Sequence, residues 1–347
     1  MPIKKVSFEE TLGRHILPSK CVGCATCVIV CPFGCLEYAD GRPRLVGECK
    51  ACGVCAQVCP RYSFSMEALE KLTFGRERNP DEEFGIYRRL IAAQTTDVEI
   101  GRVCQDGGVV TTLLKYALES GLIDGAALSG ISEDEPLKPK PKLALTVGDI
   151  ISCAGTRYSY SPNMLAFKEG VNMGKKHLAL VGTPCQIQAA RMIQHSPLKR
   201  YANALKLTIG LFCTESFDYK GLVNGLLRGE MGINPEDVEG MNIKGDLMVR
   251  LKDGGVRRIP LEKAKKYAWN CSLCGDFSAE LADISVGGLG LNGWSLTVVR
   301  TEKGEELFDG AVAEGLLRVR AINEDELPYK LLIRLSRLKR RRLANPE

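Results

Sequence analysis

The sequence predicts an α+β to α/β chain of two parts, a small cysteine-rich module followed by a larger mixed α/β domain, and three observations carry that expectation. Residues 21–60 hold one cysteine pattern twice. From residue 84 onward, helix-like and strand-like patterning alternate. Four further cysteines, remote from the first set, stand at predicted strand ends or as a C-x-x-C pair. At 347 residues and 45% hydrophobic content, the chain has the length for two or three packed domains.

The repeated pattern is Cys21-x-x-Cys24-x-x-Cys27-x-x-x-Cys31-Pro32, then Cys49-x-x-Cys52-x-x-Cys55-x-x-x-Cys59-Pro60. This is the spacing of bacterial two-cluster ferredoxins. The tight loop wraps three irons of a 4Fe–4S cubane and the distant fourth cysteine ligates the other cluster. The crossing predicts Cys21, Cys24, Cys27 and Cys59 on one cluster, with Cys49, Cys52, Cys55 and Cys31 on the second. Each fourth cysteine is expected to begin a short helix. Zinc also accepts four thiolates, but three cysteines at consecutive three-residue steps and a trailing proline disfavour it. Gly23 and Gly53 relax the loops. Leu36–Tyr38, Asp40-Gly41 and Pro43–Val46 read as a hairpin between the halves. Cys35 is left over and reads as a packed thiol. The module is expected to span residues 1–73.

A charged connector leads into the second domain, expected over residues 84–329. Gly107-Gly108 precedes the helical run Val109–Leu118, which stops at Gly121 and feeds a strand, Ile123–Leu128. A glycine pair at a helix start leaves N–H groups free for an anion, although close packing of helix on sheet is the simpler account of the pair taken alone. A second strand, His177–Val181, runs into Gly182-Thr183-Pro184-Cys185 and a helix. A third, Leu205–Phe212, ends at Cys213. Both cysteines therefore fall at carboxyl ends of strands, where open α/β sheets bind ligands. With the pair Cys271-x-x-Cys274 they make a ligand count for another metal centre, for which zinc and iron both remain open.

The string Gly288-Leu289-Gly290-Leu291-Asn292-Gly293 matches a dinucleotide fingerprint, but Trp294–Arg300 alternates like a strand. No helix N-terminus is available for a pyrophosphate, so a turn is expected. Residues 330–347 are basic with leucines at helical spacing, the pattern of a solvated terminal helix or tail.

The balance of 47 basic against 42 acidic residues, net +5, does not call for nucleic acid. No stretch reaches the apolar length of a membrane span, and the first residues lack the apolar core of a signal peptide. A cytoplasmic protein is expected, attached to a membrane face at most through a partner. Fifteen cysteines in a reducing compartment read as ligands before disulfides. Three histidines, His15, His177 and His195, leave little material for a His-based catalytic engine.

Taken together, six segments resemble the family of beta subunits of coenzyme F420 hydrogenases and dehydrogenases: Gln105–Thr111, Ala154-Gly155-Thr156-Arg157-Tyr158, Val181–Gln186, Gly210–Cys213, Cys271-x-x-Cys274-x-Asp276 and Asp283–Gly287. The resemblance runs almost the whole length. It implies an FAD protein that exchanges a hydride with the deazaflavin coenzyme F420 and passes electrons to iron–sulfur clusters. On this chain it implies FAD near Gln105, Gly107, Gly108 and Thr111 and near Thr156, Arg157 and Tyr158. It also implies a third 4Fe–4S cluster on Cys185, Cys213, Cys271 and Cys274. The fused ferredoxin module resembles the electron-input component of membrane F420 dehydrogenase complexes and the front half of deazaflavin-dependent sulfite reductases.

The expected activity is oxidation of reduced coenzyme F420 by hydride transfer to FAD, with single electrons passed through the clusters to a partner. That partner is a membrane F420 dehydrogenase complex, a heterodisulfide reductase or a similar acceptor. FAD reconciles a two-electron donor with one-electron acceptors. Arg157 and Lys206 are expected to neutralise phosphate or flavin charge. The reverse flow, reduction of coenzyme F420 by a ferredoxin or partner, and a non-enzymatic electron relay are the alternatives.

Overall fold

The computed structural model describes residues 4–344. Among them the strands are β1 (Leu36–Ala39), β2 (Arg42–Leu45), β3 (Arg89–Thr95), β4 (Gly125–Ile131), β5 (Pro139–Ala144), β6 (Leu178–Gly182), β7 (Leu205–Leu211), β8 (Val238–Lys244), β9 (Asp246–Leu251), β10 (Val256–Ile259), β11 (Ile284–Gly287), β12 (Ser295–Val299) and β13 (Leu317–Ala321). They form sheets of two, three and eight strands.

In the N-terminal module β1 and β2 pair antiparallel, Leu36 opposite Leu45 and Ala39 opposite Arg42. Asp40 and Gly41 turn the corner with φ of 48° and 79°, the paired left-handed residues that match strand twist in a two-residue hairpin. The short helices Thr26–Ile29 and Val54–Gln57 lie ahead of Cys31 and Cys59, so the fourth cysteines follow helices and do not begin them. Pro32 and Pro60 are the reason, since a residue before proline is pushed out of the helical region.

The large sheet runs β13-β3-β12-β11-β7-β6-β4-β5. Its middle strands β4, β6, β7 and β11 are parallel, and the flanking pairs are antiparallel. Helix Val109–Glu119 buries Val109, Leu113, Leu114 and Ala117 against one face and ends before Gly121, whose φ is 73°. The other face packs Met164, Phe167 and Ile187 into a cluster that also contains Ile29, Val54, Val58 and Leu69 of the cysteine-rich module. The two expected units thus share one core. Helix Met66–Phe74 closes the module, capped by Ser65 and stopped at Gly75. The connector is pinned by the buried Arg300, which donates to the Phe84 and Ile86 carbonyls at 3.0 and 2.9 Å.

A third unit stands beside the main sheet. Strands β8, β9 and β10 cover helix Lys220–Glu230 with a separate core of Leu222, Leu226, Leu247, Val249 and Ile259. Strands β11 and β12 are antiparallel, and residues 288–294 are the turn between them, which confirms that the glycine string opens no helix.

The C-terminal segment departs from expectation. Helix Leu327–Ala344 begins ahead of residue 330 and is packed, not solvated: Leu332 and Ser336 are fully buried and Lys339 is nearly so, while Leu338 faces out. Leu331, Leu332 and Leu335 pack with Phe84 and Phe277, and salt bridges from Arg337 to Glu83 and from Arg340 to Glu280 flank the helix. Among the described residues no helix is long and apolar enough to cross a membrane.

Candidate functional site: a cleft and three cysteine cavities

The structure gathers the twelve predicted ligand cysteines into three cavities, with the predicted crossing. Cys21, Cys24, Cys27 and Cys59 line one of about 380 Å³ of empty space. Cys31, Cys49, Cys52 and Cys55 line a second of about 300 Å³, where Cys35 also stands, its sulfur 3.4 Å from that of Cys31. Cys185, Cys213, Cys271 and Cys274 line a third of about 320 Å³. Among the described residues no group of three His, Cys, Asp or Glu is drawn close enough together to hold a single metal ion. The sulfurs ring voids instead.

The third cavity is assembled from distant segments. Cys185 is on the first turn of helix Pro184–Gln194, launched by Thr183 and Pro184 at its start, and Cys213 follows the end of β7 after Phe212. Cys271 opens a single helical turn after Asn270, which adopts a left-handed φ of 48°. Burial pushes the thiols up, Cys271 to about 11 and Cys213 further. Any metal must therefore displace protons as it binds.

The same loop locks the two halves of the chain together. Trp269 Nε1 donates to the Val22 carbonyl at 2.9 Å and Asn270 Nδ2 to the Cys21 carbonyl at 2.7 Å. A Cβ on Gly23 would lie 2.4 Å from the Gly41 carbonyl oxygen and 3.0 Å from the Trp269 indole nitrogen. Gly23 is thus required by this close approach, beyond relaxing its own loop. Val22 and Arg61 line both the first and third cavities.

Two cations border the third cavity. Arg61 donates from Nη1 to the Leu273 carbonyl at 2.6 Å, leaving its Nε without a partner. Lys339 reaches in from the C-terminal helix, its Nζ likewise unpartnered. Burial works against the lysine's charge, but Cys274, Cys213 and Cys271 outweigh it and raise its pKa.

Beyond the third cavity, at the carboxyl ends of β6, β7 and β11, opens a cleft of about 200 Å³. Gln105, Gly108, Thr111, Thr156 and Arg157 line it, as expected from the sequence. Gly108 holds φ at 70° and starts helix Val109–Glu119, whose free N–H groups face the cleft. Arg157 donates from Nη1 to the carbonyls of Ala154 and Gly155, has no carboxylate partner, and leaves its buried Nε unsatisfied. Desolvation lowers its pKa.

Ser129, Ser159 and Gln186 add further buried, unpartnered oxygens on the same walls. A group of orphaned polar atoms around a large void is a site waiting for a polar ligand. The cleft adjoins the third cavity, for Thr183 and Ser216 line both, and the Thr183 hydroxyl lies 3.2 Å from the Cys185 sulfur.

Three expected contacts are not brought to the cleft. Lys206 is exposed at the amino end of β7, the end of the sheet remote from the ligand edge. Tyr158 turns away from the cleft, its hydroxyl accepting from the Ile243 N–H at 3.1 Å and joining the β8–β10 unit. Gly107 is a packing glycine: a Cβ there would meet the Ala93 carbonyl at 2.4 Å and the Ser295 nitrogen at 2.5 Å. Arg61, Trp269 and Lys339 carry no motif that marks them. Ser159 and Ser161 line the cleft while Tyr160, between them, lines the cysteine cavity, an alternation legible only once the segment is known to be extended.

Comparison with known proteins bears on this arrangement. Residues 90–168 and 175–325 match the models for the N-terminal and C-terminal parts of the coenzyme F420 hydrogenase/dehydrogenase beta subunit, and residues 15–37 a 4Fe–4S binding domain. The coenzyme F420 hydrogenase subunit beta of Methanothermobacter thermautotrophicus is 38% identical over 262 residues, 74% of this chain and 92% of that one. The chain belongs to this family of beta subunits. Another member, the coenzyme F420-dependent sulfite reductase of Methanocaldococcus jannaschii, is 35% identical across 98% of this chain and 53% of its own length. A chain of the solved F420-reducing NiFe hydrogenase complex from Methanosarcina barkeri shares the fold with a TM-score of 0.73 and 36% identity, over 77% of this chain and 93% of that one. The fold of the large domain is therefore shared with that chain.

Proposed function

We propose that this chain is the coenzyme F420-dependent component of an electron-transfer complex, with FAD and coenzyme F420 in the cleft and 4Fe–4S clusters in all three cysteine cavities. The observation that carries the reading is continuity. The cleft shares Thr183 and Ser216 with the third cavity, and the third shares Val22 and Arg61 with the first. When bound, FAD supplies hydride acceptance from reduced coenzyme F420 and single-electron release, and the clusters supply one-electron storage.

The chain's own contribution is placement and charge. Arg157 and the helix start at Gly108 offer positive character to the phosphates of a dinucleotide, and the unpartnered Ser129, Ser159 and Gln186 offer hydrogen bonds to its polar edges. Zinc fits the cysteines poorly, since sulfurs about 2.3 Å from one ion would crowd around a point. Among the described residues no three of these sulfurs are drawn together around one point. Orphaned polar groups in a large cleft also argue against a bare electron relay, which needs no such cavity. The second cavity, bordered by the exposed Phe33, is where a protein partner would exchange electrons. A partner complex accords with the matched M. barkeri chain, which is part of one.

Anaerobically purified and reconstituted protein is expected to release FAD on extraction. In a stopped-flow mix, reduced coenzyme F420 should bleach that flavin. Flavin that stays oxidised with reduced coenzyme F420 but bleaches with NADH would overturn the substrate, and absence of bound flavin would overturn the site. Replacing Arg157 by methionine is expected to weaken FAD retention on the order of tenfold to a hundredfold, the value of one charge-assisted hydrogen bond, with iron content unchanged. Full retention by that variant would remove Arg157 from the phosphate contact.

A further inference from the structure

We propose that Lys339 is a charge-setting residue for the third cysteine cavity, placed by the C-terminal helix to hold a positive charge against the cluster there and favour its one-electron reduction. The inference rests on the third-cluster part of the proposed function. The helix presents Leu332, Ser336 and Lys339 along one buried stripe at the i, i+4 and i+7 spacing of a core-facing surface, where an apolar side chain would pack without penalty. Lys339 is instead 2% exposed, lines the cavity of Cys185, Cys213, Cys271 and Cys274, and finds no hydrogen-bond acceptor for its Nζ. A buried, unpaired ammonium is costly unless a negative group answers it.

The lysine is held there by its neighbours. On either side, Arg340 pairs with Glu280 at 2.8 Å and Arg342 with Glu215 at 2.7 Å, two residues beyond Cys213. Leu343 seats against Gly275, next to Cys274, so closely that a Cβ on that glycine would lie 2.8 Å from the leucine side chain. Arg61, on the wall shared with the first cavity, acts on both sets of cysteines. Lys339 lines only the third. By contrast, Lys50 of the second cavity is half exposed and paired with Glu48.

A cubane on four thiolates is an anion, and reduction adds one negative charge. The electron comes from the reduced flavin of the cleft, and the lysine is charged before and after, so no proton moves. A fixed cation nearby stabilises the reduced form more than the oxidised one, which raises the midpoint potential.

The test is an EPR-monitored redox titration, with dithionite as reductant, of the anaerobic holoprotein and its Lys339→Met and Lys339→Arg variants, with iron assayed in each. Lys339→Met is expected to keep about twelve irons per chain and to disfavour reduction of one cluster roughly tenfold, a fall of about 59 mV for a one-electron couple. The other two clusters stay in place, and Lys339→Arg restores the unaltered value. Loss of the third cluster in the methionine variant alone, with the arginine variant intact, also supports a requirement for charge. Full iron with every potential unmoved overturns the inference, as does loss of the cluster from both variants, which would make the lysine a packing element. About eight irons in the unaltered protein would overturn the third cluster itself, a failure distinct from these.

Discussion

Replacing Cys271 by serine is expected to lower the iron content from about twelve to about eight per chain, while bound flavin is still reduced by reduced coenzyme F420. Four cysteines from three separate segments line the third cavity, and Cys271 is held in it by a sharply turned loop after Asn270. The serine hydroxyl is a harder and poorer ligand for cluster iron than a thiolate, so the three remaining thiolates are expected to lose the cluster. The cleft is a different void, lined by Gly108 and Arg157, so flavin should survive the change. Electron delivery to the N-terminal module should collapse, because the third cavity lies between the cleft and the first. Cys104→Ser is the control: Cys104 lines the cleft and none of the three cysteine cavities, so iron should stay at about twelve. An unaltered protein with about eight irons would remove the third cluster from the account, and a Cys271→Ser variant that keeps about twelve would remove Cys271 from its ligands.

The second large effect concerns stability. Asp283→Ala is expected to cost about 3–5 kcal/mol, the price of leaving one partner of a buried ion pair unanswered. Asp283 and Arg191 are 1% and 3% exposed and meet at 2.9 Å. The same carboxylate accepts from the Thr208 N–H and hydroxyl, both at 2.8 Å, and from the Thr301 hydroxyl at 2.8 Å. Arg191 lies on the helix that carries Cys185 in its first turn, and Thr208 on β7 ahead of Cys213. The pair therefore fixes the two scaffolds of the third cavity relative to each other.

Burial alone would raise the carboxyl's pKa, but Arg191 and Lys303 outweigh it and hold the group well below the usual carboxylate range. Its contribution is therefore full above the unfolded value near 3.9 and is lost only as pH falls through the lower folded value. The gap in denaturant midpoint between the unaltered protein and Asp283→Ala should stay constant from neutral pH to about pH 5 and close only in stronger acid. A gap that closes already near neutrality would mean that another group supplies the stability.

Much of the chain was legible as written. The repeated cysteine spacing foretold which eight thiols share which two cavities, since three-residue steps and a trailing proline leave the backbone few ways to run. The strands β4, β6, β7, β11 and β12 and the helix from Val109 announce themselves by period and by glycine stops. Strands β8 to β10 and the helix Lys220–Glu230 do not, because a small side sheet with one exposed face repeats apolar residues too sparsely to stand out. In the cleft, Gly108 and Arg157 were reachable from motif position, whereas Lys206 and Tyr158 were misplaced. A motif names residues near a site; only the strand's direction and the segment's extended alternation say which side chains face it.

The sequence by itself determined the N-terminal module, the alternating sheet and the family, all of which rest on spacing along the chain and on local backbone preference. Tertiary structure alone decided that the module shares a core with the large domain, that Trp269, Val22 and Arg61 place the first cavity against the third, and that the basic C-terminal helix turns Lys339 inward. The physical reason is that burial belongs to an assembled interior. Period and composition describe what a segment can bury, and the partners that decide which face it buries are hundreds of residues away.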